Sequence, residues 1–332
     1  MTNLPGDNHG PVWCDGSLIP YADATCHVLS HMAARGSQVF DVLRVVPTVD
    51  GPAAVGLRPH VSRFLNSMEL MAMDPIADLG TIERAVAETV LAGLDAAGSG
   101  PGDEPGGESG DGAGRRGGWF TVKLVAAWAE PGDGVLPAAL APKVYVLALP
   151  SAPIADAGVL GNPVKLRSST VPKLPPSVLP PSLKVAASYT PGLREQMRVR
   201  AEGYDYPVFR TENGDLAEST TLSILVVTGD RLLAPPLDSV LDGISRRTIV
   251  DVAQHLSIPV DVRGVYWDEV EDADELMLAS TTNPVTPVGL LDDRSFDAPG
   301  PVTARIGSVM SEVYRGDHPL SSSWLTPLSS LV

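Results

Sequence analysis

Five of the eleven residues from Val171 to Pro181 are prolines. Proline fixes φ near −65° and has no N–H group to donate, so this segment can form neither a regular helix nor an inner strand of a sheet. We expect a stiff, extended segment that leads directly to Lys184. It separates a first half in which strand-like and helix-like patterns alternate from a second half rich in strand-like runs. A chain of 332 residues with two such halves is predicted to form two domains.

The boundary between the predicted domains lies near residue 150. Residues 1–150 form the N-terminal domain, 151–181 the proline-rich connection with a first strand, and 182–332 the C-terminal domain. In the first domain, apolar residues at helical spacing predict helices over 60–73 and 81–94, and an apolar run predicts a buried strand over 39–46. Residues 97–118 contain ten glycines and are predicted to form a flexible loop, because they offer little apolar surface to bury.

Turn signals divide the second half into strands. Asn213-Gly214 is a typical hairpin sequence and predicts that strands at 206–210 and 216–227 pair with each other. Further strands are expected at 258–265 and 276–279. A helix is predicted from Ser245 to Leu256, with Ser245 as its N-cap.

Composition excludes several classes of protein. The net charge of −16 argues against nucleic acid or an anionic membrane surface as a partner. Two cysteines, Cys14 and Cys26, are too few for a disulfide framework or a thiolate metal site, and no metal is predicted. The sequence has no signal-peptide pattern and no apolar run of about 18 residues, so we expect a cytoplasmic protein that does not cross a membrane.

Lys184 is the first candidate for chemistry. It lies in a run of apolar and small residues, with Tyr189 five positions later. Burial disfavours the charged ammonium and lowers a lysine's pKa, and a neutral amine can attack a carbonyl to form a Schiff base. The alternative is an ordinary surface lysine whose stem lies along apolar neighbours.

Other segments could bind a phosphate and a cationic ring. The start of the helix at Ser245 and the cluster Ser280-Thr281-Thr282 offer amides and hydroxyls to a phosphate, and Arg63 could add a charged donor. Glu218 lies in a predicted apolar strand, where a carboxylate needs a cation such as a protonated pyridine nitrogen. Each feature also has a plain alternative: a capped helix, a turn, a solvated helix face, or a glutamate on an edge strand facing water.

Together these groups supply every contact that pyridoxal phosphate needs: an amine for the aldehyde, a phenol for the ring hydroxyl, an acid for the ring nitrogen and a phosphate-binding site. In these residues the chain resembles the fold-type IV pyridoxal-phosphate enzymes, which include branched-chain and D-amino-acid aminotransferases and aminodeoxychorismate lyase. The resemblance covers residues from about 12 to 290, and the matching segments follow each other in the same order as in the family. Its six blocks are the segments at 26–44, 60–65, 184–189, 218, 241–246 and 281–288.

The resemblance implies an α+β fold, with a smaller N-terminal α/β domain and a larger C-terminal β-rich pseudo-barrel domain, in a homodimer. It implies pyridoxal 5'-phosphate as the cofactor and Lys184 as the catalytic Schiff-base lysine. The cofactor-binding residues that it implies are Arg63, Lys184, Tyr189, Glu218, Ile244, Ser245, Thr281 and Thr282.

The function implied is that of an aminotransferase. The amino group of an amino acid or amine passes to a 2-keto acid, and Lys184 acts both as covalent anchor and as general acid–base. One alternative is a lyase of the aminodeoxychorismate lyase type, and another is a family member that binds the cofactor without turnover.

Departures from the family pattern affect the substrate pocket. Arg35 replaces a tyrosine common in branched-chain enzymes, and Lys123 stands where those enzymes carry an arginine and the lyases can carry a lysine. Ser219 and Ser223 replace a glycine and an asparagine, and Ser245 replaces a threonine. The candidates for holding the substrate are Arg35, Phe40, Arg44 and Lys123.

Overall fold

The computed structural model describes residues 10–74, 76–98, 119–132, 134–137, 139–151 and 159–332. The chain divides into two compact units, one of residues 1–153 together with 325–332 and the other of residues 154–324. Both contain helices and a sheet, so the protein is of the α+β class, as predicted.

The strands of the described residues, in chain order, are β1 (Val12–Cys14), β2 (Ser17–Ile19), β3 (Val39–Thr48), β4 (Gly51–Val55), β5 (Phe120–Ala127), β6 (Lys143–Pro150), β7 (Val164–Ser168), β8 (Tyr206–Val208), β9 (Ser223–Thr228), β10 (Arg231–Ala234), β11 (Val260–Val262), β12 (Glu275–Ala279), β13 (Thr286–Leu291), β14 (Arg294–Ser295) and β15 (Leu325–Pro327).

The helices are α1 (His31–Arg35), α2 (Leu57–Leu70), α3 (Leu79–Gly98), α4 (Thr190–Ala201), α5 (Ile244–His255), α6 (Trp267–Glu271), α7 (Pro301–Arg315) and α8 (Ser321–Trp324). Short 3-10 turns lie at Tyr21–Asp23, Ala186–Tyr189 and Leu328–Ser330.

The first unit is built on an antiparallel sheet with the strand order β15-β4-β3-β5-β6-β1-β2. Buried and half-buried residues alternate at the start of β3, as a strand with two different faces requires. Val39, Asp41 and Leu43 lie on the buried face, and α2 packs against this strand. The opposite face carries Phe40 and Val42, which remain half-buried.

The second unit contains a mixed sheet with the order β11-β10-β9-β12-β13-β7-β8, and β14 pairs with β13 at its side. The pairs β10–β11, β13–β7 and β7–β8 are parallel, and the others in this order are antiparallel. Buried aliphatic residues on several of these strands form its core, among them Leu166, Ile224, Leu276 and Val288. Helix α7 packs against α5 and β12.

Several predicted elements need correction. Ser245 is not an N-cap: Gly243 holds that position, and Ser245 lies buried in the first turn of α5. The predicted strand over 216–227 is regular only from Ser223, so Glu218 lies in an irregular segment. The predicted strand over 258–265 shortens to β11.

Two further predicted segments, the C-terminal domain and the loop at 97–118, have different limits in the structure. The strand β15 pairs with β4 in the first unit, whereas the sequence placed all of residues 182–332 in the C-terminal domain. Of the predicted flexible loop at 97–118, residues 97 and 98 end α3, and residues 99–118 lie outside the described part of the chain.

Helix α7 begins on a buried carboxylate. Glu275, the first residue of β12, accepts hydrogen bonds from the backbone N–H groups of Val302 and Thr303, each at 2.8 Å. These are among the amides that a helix cannot satisfy internally at its own start. Gly300 is the N-cap, and a Cβ atom at this position would overlap the Glu275 side chain.

We predict that Gly300→Ala destabilises the protein by about 2–3 kcal/mol, because the displaced carboxylate and the α7 amides would both lose their buried partners. The midpoint of urea unfolding measures this. Gly132→Ala is the matched control, since no atom lies within 4 Å of its added Cβ. Equal midpoints for the two variants would contradict the role of Glu275 at the start of α7.

Candidate active site

Lys184 and Tyr189 are brought together by a single turn of chain. The segment Ala186–Tyr189 forms a 3-10 turn that runs directly into α4, where a proline in the first turn suits a helix start. The turn folds the phenol back toward the amine, and Lys184 Nζ donates a hydrogen bond to Tyr189 Oη at 2.7 Å. Both residues are half-buried. The predicted amine and phenol are therefore adjacent.

A buried glutamate on α4 holds the segment that leads to this turn. Glu195 accepts hydrogen bonds from Thr170 N at 2.9 Å, Thr170 Oγ1 at 3.0 Å and Ser169 Oγ at 3.1 Å, and Arg198 donates to it through Nε and Nη2. Burial acts to raise its pKa, but these hydrogen bonds outweigh burial and lower the pKa of Glu195 to about 2. The sequence analysis missed Glu195, because it predicted no helix over 190–201.

Glu218 is paired with Lys173. Backbone hydrogen bonds place them side by side: Phe209 N donates to Glu218 O at 3.0 Å, and Lys173 N donates to Arg210 O at 2.8 Å. The Lys173 ammonium forms an ion pair with the Glu218 carboxylate, and the two side chains are only 21% and 14% exposed. The sequence analysis missed Lys173; its place in the proline-rich segment before Lys184 was the available signal.

The charge of Lys173 is coupled to its surroundings. Burial, followed by the positive charge of Lys184, lowers the pKa of Lys173 to about 7. The contact with the Glu218 carboxylate acts in the opposite direction, since an opposite charge favours the ammonium form. Two lysines and one glutamate therefore form one electrostatic group within the second unit.

The start of α5 can receive an anion. No side chain caps its N-terminus, and Ile244 and Ser245 lie in its first turn, where the backbone amides and the helix dipole favour a negative charge. A Cβ atom on Gly243 would lie 2.6 Å from Ser223 Oγ, so a larger residue at this helix start would displace the Ser223 hydroxyl.

The same point on β9 connects α5 to the end of β12. Ser223 pairs with Ala279, and the chain then bends through Thr281 and Thr282. The bend is closed by a hydrogen bond from Ser280 N to Asn283 O at 3.0 Å. Thr281 is half-buried, whereas Thr282 is exposed. The predicted phosphate residues of the second unit thus come from two segments that meet at Ser223.

Ser219 gives an independent test of whether this site suits a bound group. Its hydroxyl oxygen is buried and has no hydrogen-bond partner in the described part of the chain. A buried polar atom without a partner is costly, and a bound group could supply that partner. Ser219 is the next residue in the chain after Glu218, which is predicted to meet the ring nitrogen. The residues present therefore fit a cofactor that carries polar atoms.

In the first unit, Arg63 is held by a buried carboxylate. Its Nε and Nη2 donate to the two oxygens of Asp41, each at 2.8 Å, and His60 Nδ1 lies 2.7 Å from Oδ1. Although burial acts to raise the pKa of Asp41, Arg63 and His60 together hold it well below its usual range. The bidentate contact fixes the plane of the guanidinium. Arg63 therefore does not lie on a solvated helix face, which was the alternative to its predicted role as a phosphate-binding residue.

Three of the four substrate candidates share one face of the first sheet. The β3–β5 register pairs Arg44 with Thr121 and brings Phe40, Arg44 and Lys123 to the face opposite Asp41. Arg44 is buried, and its Nη1 donates to Thr121 Oγ1 at 2.8 Å. Lys123 is exposed.

Arg35 is set apart from these three. It is the last residue of α1 and lines a cavity of about 160 Å³ together with His31 and Trp128. Within the described residues there is no group of three His, Cys, Asp or Glu side chains that could hold a metal. The helices of the same residues include none that is long and apolar enough to cross a membrane.

Comparison with known proteins places this geometry in a family. The model of the amino-transferase class IV family matches residues 38–291. A curated branched-chain-amino-acid aminotransferase from Pseudomonas aeruginosa is 25% identical over 323 residues, which is 96% of this chain and 98% of that protein. A probable branched-chain-amino-acid aminotransferase from Thermotoga maritima is 36% identical over 148 residues, or 43% of this chain and 52% of its own length.

Solved structures share the fold. The branched-chain aminotransferase from Thermoproteus uzoniensis with norvaline has a TM-score of 0.83 at 25% identity, over 96% of this chain and 99% of that chain. The branched-chain amino acid aminotransferase from Thermobaculum terrenum in its PLP form has a TM-score of 0.84 at 23% identity, over 97% of this chain and 99% of that chain. These neighbours confirm the predicted fold type IV.

We predict that Glu195→Gln lowers the free energy of unfolding at pH 7 by roughly 1–3 kcal/mol, through loss of its charged hydrogen bonds. Because the folded state lowers the pKa of Glu195 from 4.5 to about 2, the unfolded state binds more protons in between. The stabilisation is complete above pH 4.5 and is lost as the pH falls through about 2. The difference between wild type and variant, measured by urea unfolding, should therefore shrink on acidification; a constant difference would contradict this account.

Proposed function

Because the chain belongs to the class IV amino-transferase family, we propose that it is a pyridoxal-phosphate-dependent aminotransferase that moves an amino group between an amino acid or amine and a 2-keto acid. The observation that carries this proposal is that two contacts of the second unit, Lys184 with Tyr189 and Lys173 with Glu218, are linked by the electrostatic effect of Lys184 on Lys173. When bound, pyridoxal phosphate supplies an aldehyde for the amine and a ring that takes up electron density from the substrate.

Lys184 has two tasks in this proposal. Its Nζ would hold the cofactor through the aldehyde, with loss of water, and would later move the proton that leaves the substrate Cα. Tyr189 Oη accepts a hydrogen bond from Nζ and so orients the amine. The carboxylate of Glu218 holds a proton on the ring nitrogen, since a negative charge beside it favours the protonated form.

The phosphate is assigned to the start of α5 and the bend after β12. The backbone amides of Ile244 and Ser245 would donate to its oxygens, and the hydroxyls of Ser245, Thr281 and Thr282 would add further donors. For Arg63 we also propose contact with the phosphate; Asp41 holds the guanidinium in one orientation, which lowers the entropy lost on binding.

The substrate carboxylate requires cations. We propose Lys123 and Arg35, with Arg44 and Phe40, as the residues that hold the substrate. Lys123 and Arg35 are exposed, whereas Arg44 already bonds to Thr121 and would act mainly by fixing the sheet face beside Lys123. The relatives named above are branched-chain aminotransferases. Lys123 keeps the charge of the family's arginine, and Arg35 adds one cation in place of the family's tyrosine. The added cation favours a substrate that carries a negative charge beyond its α-carboxylate.

We also propose that the protein is a cytoplasmic homodimer, in which the unit of residues 154–324 is the cofactor domain. An exposed apolar cluster in the first unit supports dimer formation. It consists of Val28, Leu29, Val135, Leu136 and Leu140, which are between 52% and 81% exposed. Gly132 N donates to Leu29 O at 3.1 Å, so the two segments that carry the cluster are joined by their backbones. Adjacent exposed apolar side chains are typical of interaction surfaces.

We predict that purified protein with pyridoxal phosphate shows a visible absorption band that is lost in Lys184→Ala. The band should bleach on addition of an amino donor alone and return on addition of a 2-keto acid. Lys165→Met, at an exposed lysine of the same unit, is the control and should keep the band. A band that does not bleach while pyruvate accumulates would identify a lyase, and absence of any Lys184-dependent band would leave a protein without turnover.

For the dimer, we predict that Leu136→Asp reduces the mass in light scattering from roughly twice 34.8 kDa toward 34.8 kDa, because a charge in an apolar interface is costly. Val49→Asp is the matched control, since Val49 is 93% exposed and lies outside the apolar cluster. A monomeric wild type, or a Leu136→Asp protein of unchanged mass, would contradict the proposal.

A further inference from the structure

Lys173 differs from an ordinary surface lysine in its position and in its partner. It lies in the proline-rich segment that leads to Lys184, where Pro172 and Pro175 limit the backbone, and its own N–H is bonded to Arg210 O. Its side chain is 21% exposed and is paired with Glu218, which is 14% exposed. A pair with so little exposure is only weakly screened by water.

The charged groups around Lys173 come from several elements. Glu218 contacts it directly, and Lys184 acts on it electrostatically, with Tyr189 bonded to Lys184. Lys173 also lines a cavity of about 480 Å³, to which Glu212, Asp215 and Asp238 contribute. The guanidinium of Arg210 is turned toward the Trp267 ring, with its Cζ 3.7 Å from the ring centroid. The Glu218 carboxylate favours the charged form of Lys173, and Lys184 opposes it.

We propose that Lys173 is a positioning residue for the reaction: it holds the carboxylate of Glu218 and, by gaining or losing a proton, sets how much negative charge Glu218 presents to the cofactor ring. This inference rests on the proposed function and adds to it a residue that controls the electrostatics of the site.

The two states of Lys173 have opposite effects on the site. With its proton, Lys173 partly offsets the negative charge of Glu218 and adds a positive charge near Lys184. Protonation of the nitrogen at Lys184 then becomes less favourable. Without its proton, Lys173 no longer offsets the charge of Glu218, and protonation of that nitrogen becomes more favourable. Burial and the positive charge of Lys184 favour the state without the proton, whereas the carboxylate of Glu218 favours the state with it.

The test is a pH titration of the visible absorption band of the cofactor-loaded protein, from about pH 5.5 to about 9.5. Lys173→Met removes the charge at similar length, and Lys173→Arg retains a charge that cannot be lost. We expect the midpoint to increase in the order Lys173→Arg, wild type, Lys173→Met, with about one pH unit between Lys173→Met and wild type, the size expected for one nearby unit charge. A role in packing alone would not move the two variants in opposite directions.

A double-mutant comparison tests whether the effect passes through Glu218. In a Glu218→Gln background, Lys173→Met should shift the midpoint by less than it does in wild type, since the shared negative charge is gone. Lys165→Met, which removes an exposed lysine of the same unit, should leave the midpoint unchanged. An equal shift in both backgrounds would overturn the part of the proposal that involves Glu218.

The outcomes separate this inference from the proposed function. If wild type forms no band, or Lys184→Ala keeps it, both proposals fall. If the band depends on Lys184 but the midpoints of all three Lys173 proteins agree within about 0.2 pH units, only the role of Lys173 falls. If Lys173→Met does not fold, Lys173→Arg decides the question: a midpoint below that of wild type supports the proposal, and an equal or higher one overturns it.

Discussion

A carboxylate that leaves water must gain a cation or several N–H and O–H donors in return, and this requirement recurs at each ordered part of the protein. Glu275 meets it at the start of α7, Glu195 along the segment that leads to Lys173, and Asp41 against α2. Glu218 meets it with Lys173. Each carboxylate thereby fixes a piece of backbone or a cation that packing of apolar side chains alone would leave able to rotate.

This arrangement links stability to chemistry. Glu195 holds the chain just before Lys173, and Lys173 in turn holds Glu218, so the carboxylate assigned to the cofactor ring is oriented by two successive contacts in the second unit. Asp41 does the same for Arg63 in the first unit. Groups held in advance by their neighbours lose little entropy when they bind a ligand. The ionised groups of the candidate site are therefore part of the folded framework.

The sequence predicted the features that depend on local pattern. The apolar stripe of α2 was predicted from its spacing, and Val61, Phe64 and Met68 are indeed buried. The turn at Asn213-Gly214 is present, with Gly214 at φ +93°, although the strand that follows becomes regular only at Ser223. Ser245 shows the limit of such rules: it is a good capping residue by type, but the N-cap of α5 is Gly243, which lies close to the Ser223 side chain.

The sequence by itself determined most of the element pattern, because helices and strands depend on residue type and spacing along a few turns of chain. It did not determine the path of the proline-rich segment, which was expected to be extended but turns at Pro175, whose carbonyl accepts hydrogen bonds from Val178 N at 2.9 Å and Leu179 N at 3.1 Å. Only the tertiary structure decided that Lys173 meets Glu218, that Glu195 holds the segment at Ser169 and Thr170, and that Asp41 holds Arg63. The partners in each of these contacts are distant in the sequence and belong to different elements. Coulomb energy and desolvation depend on distance in space, which no local spacing rule reports.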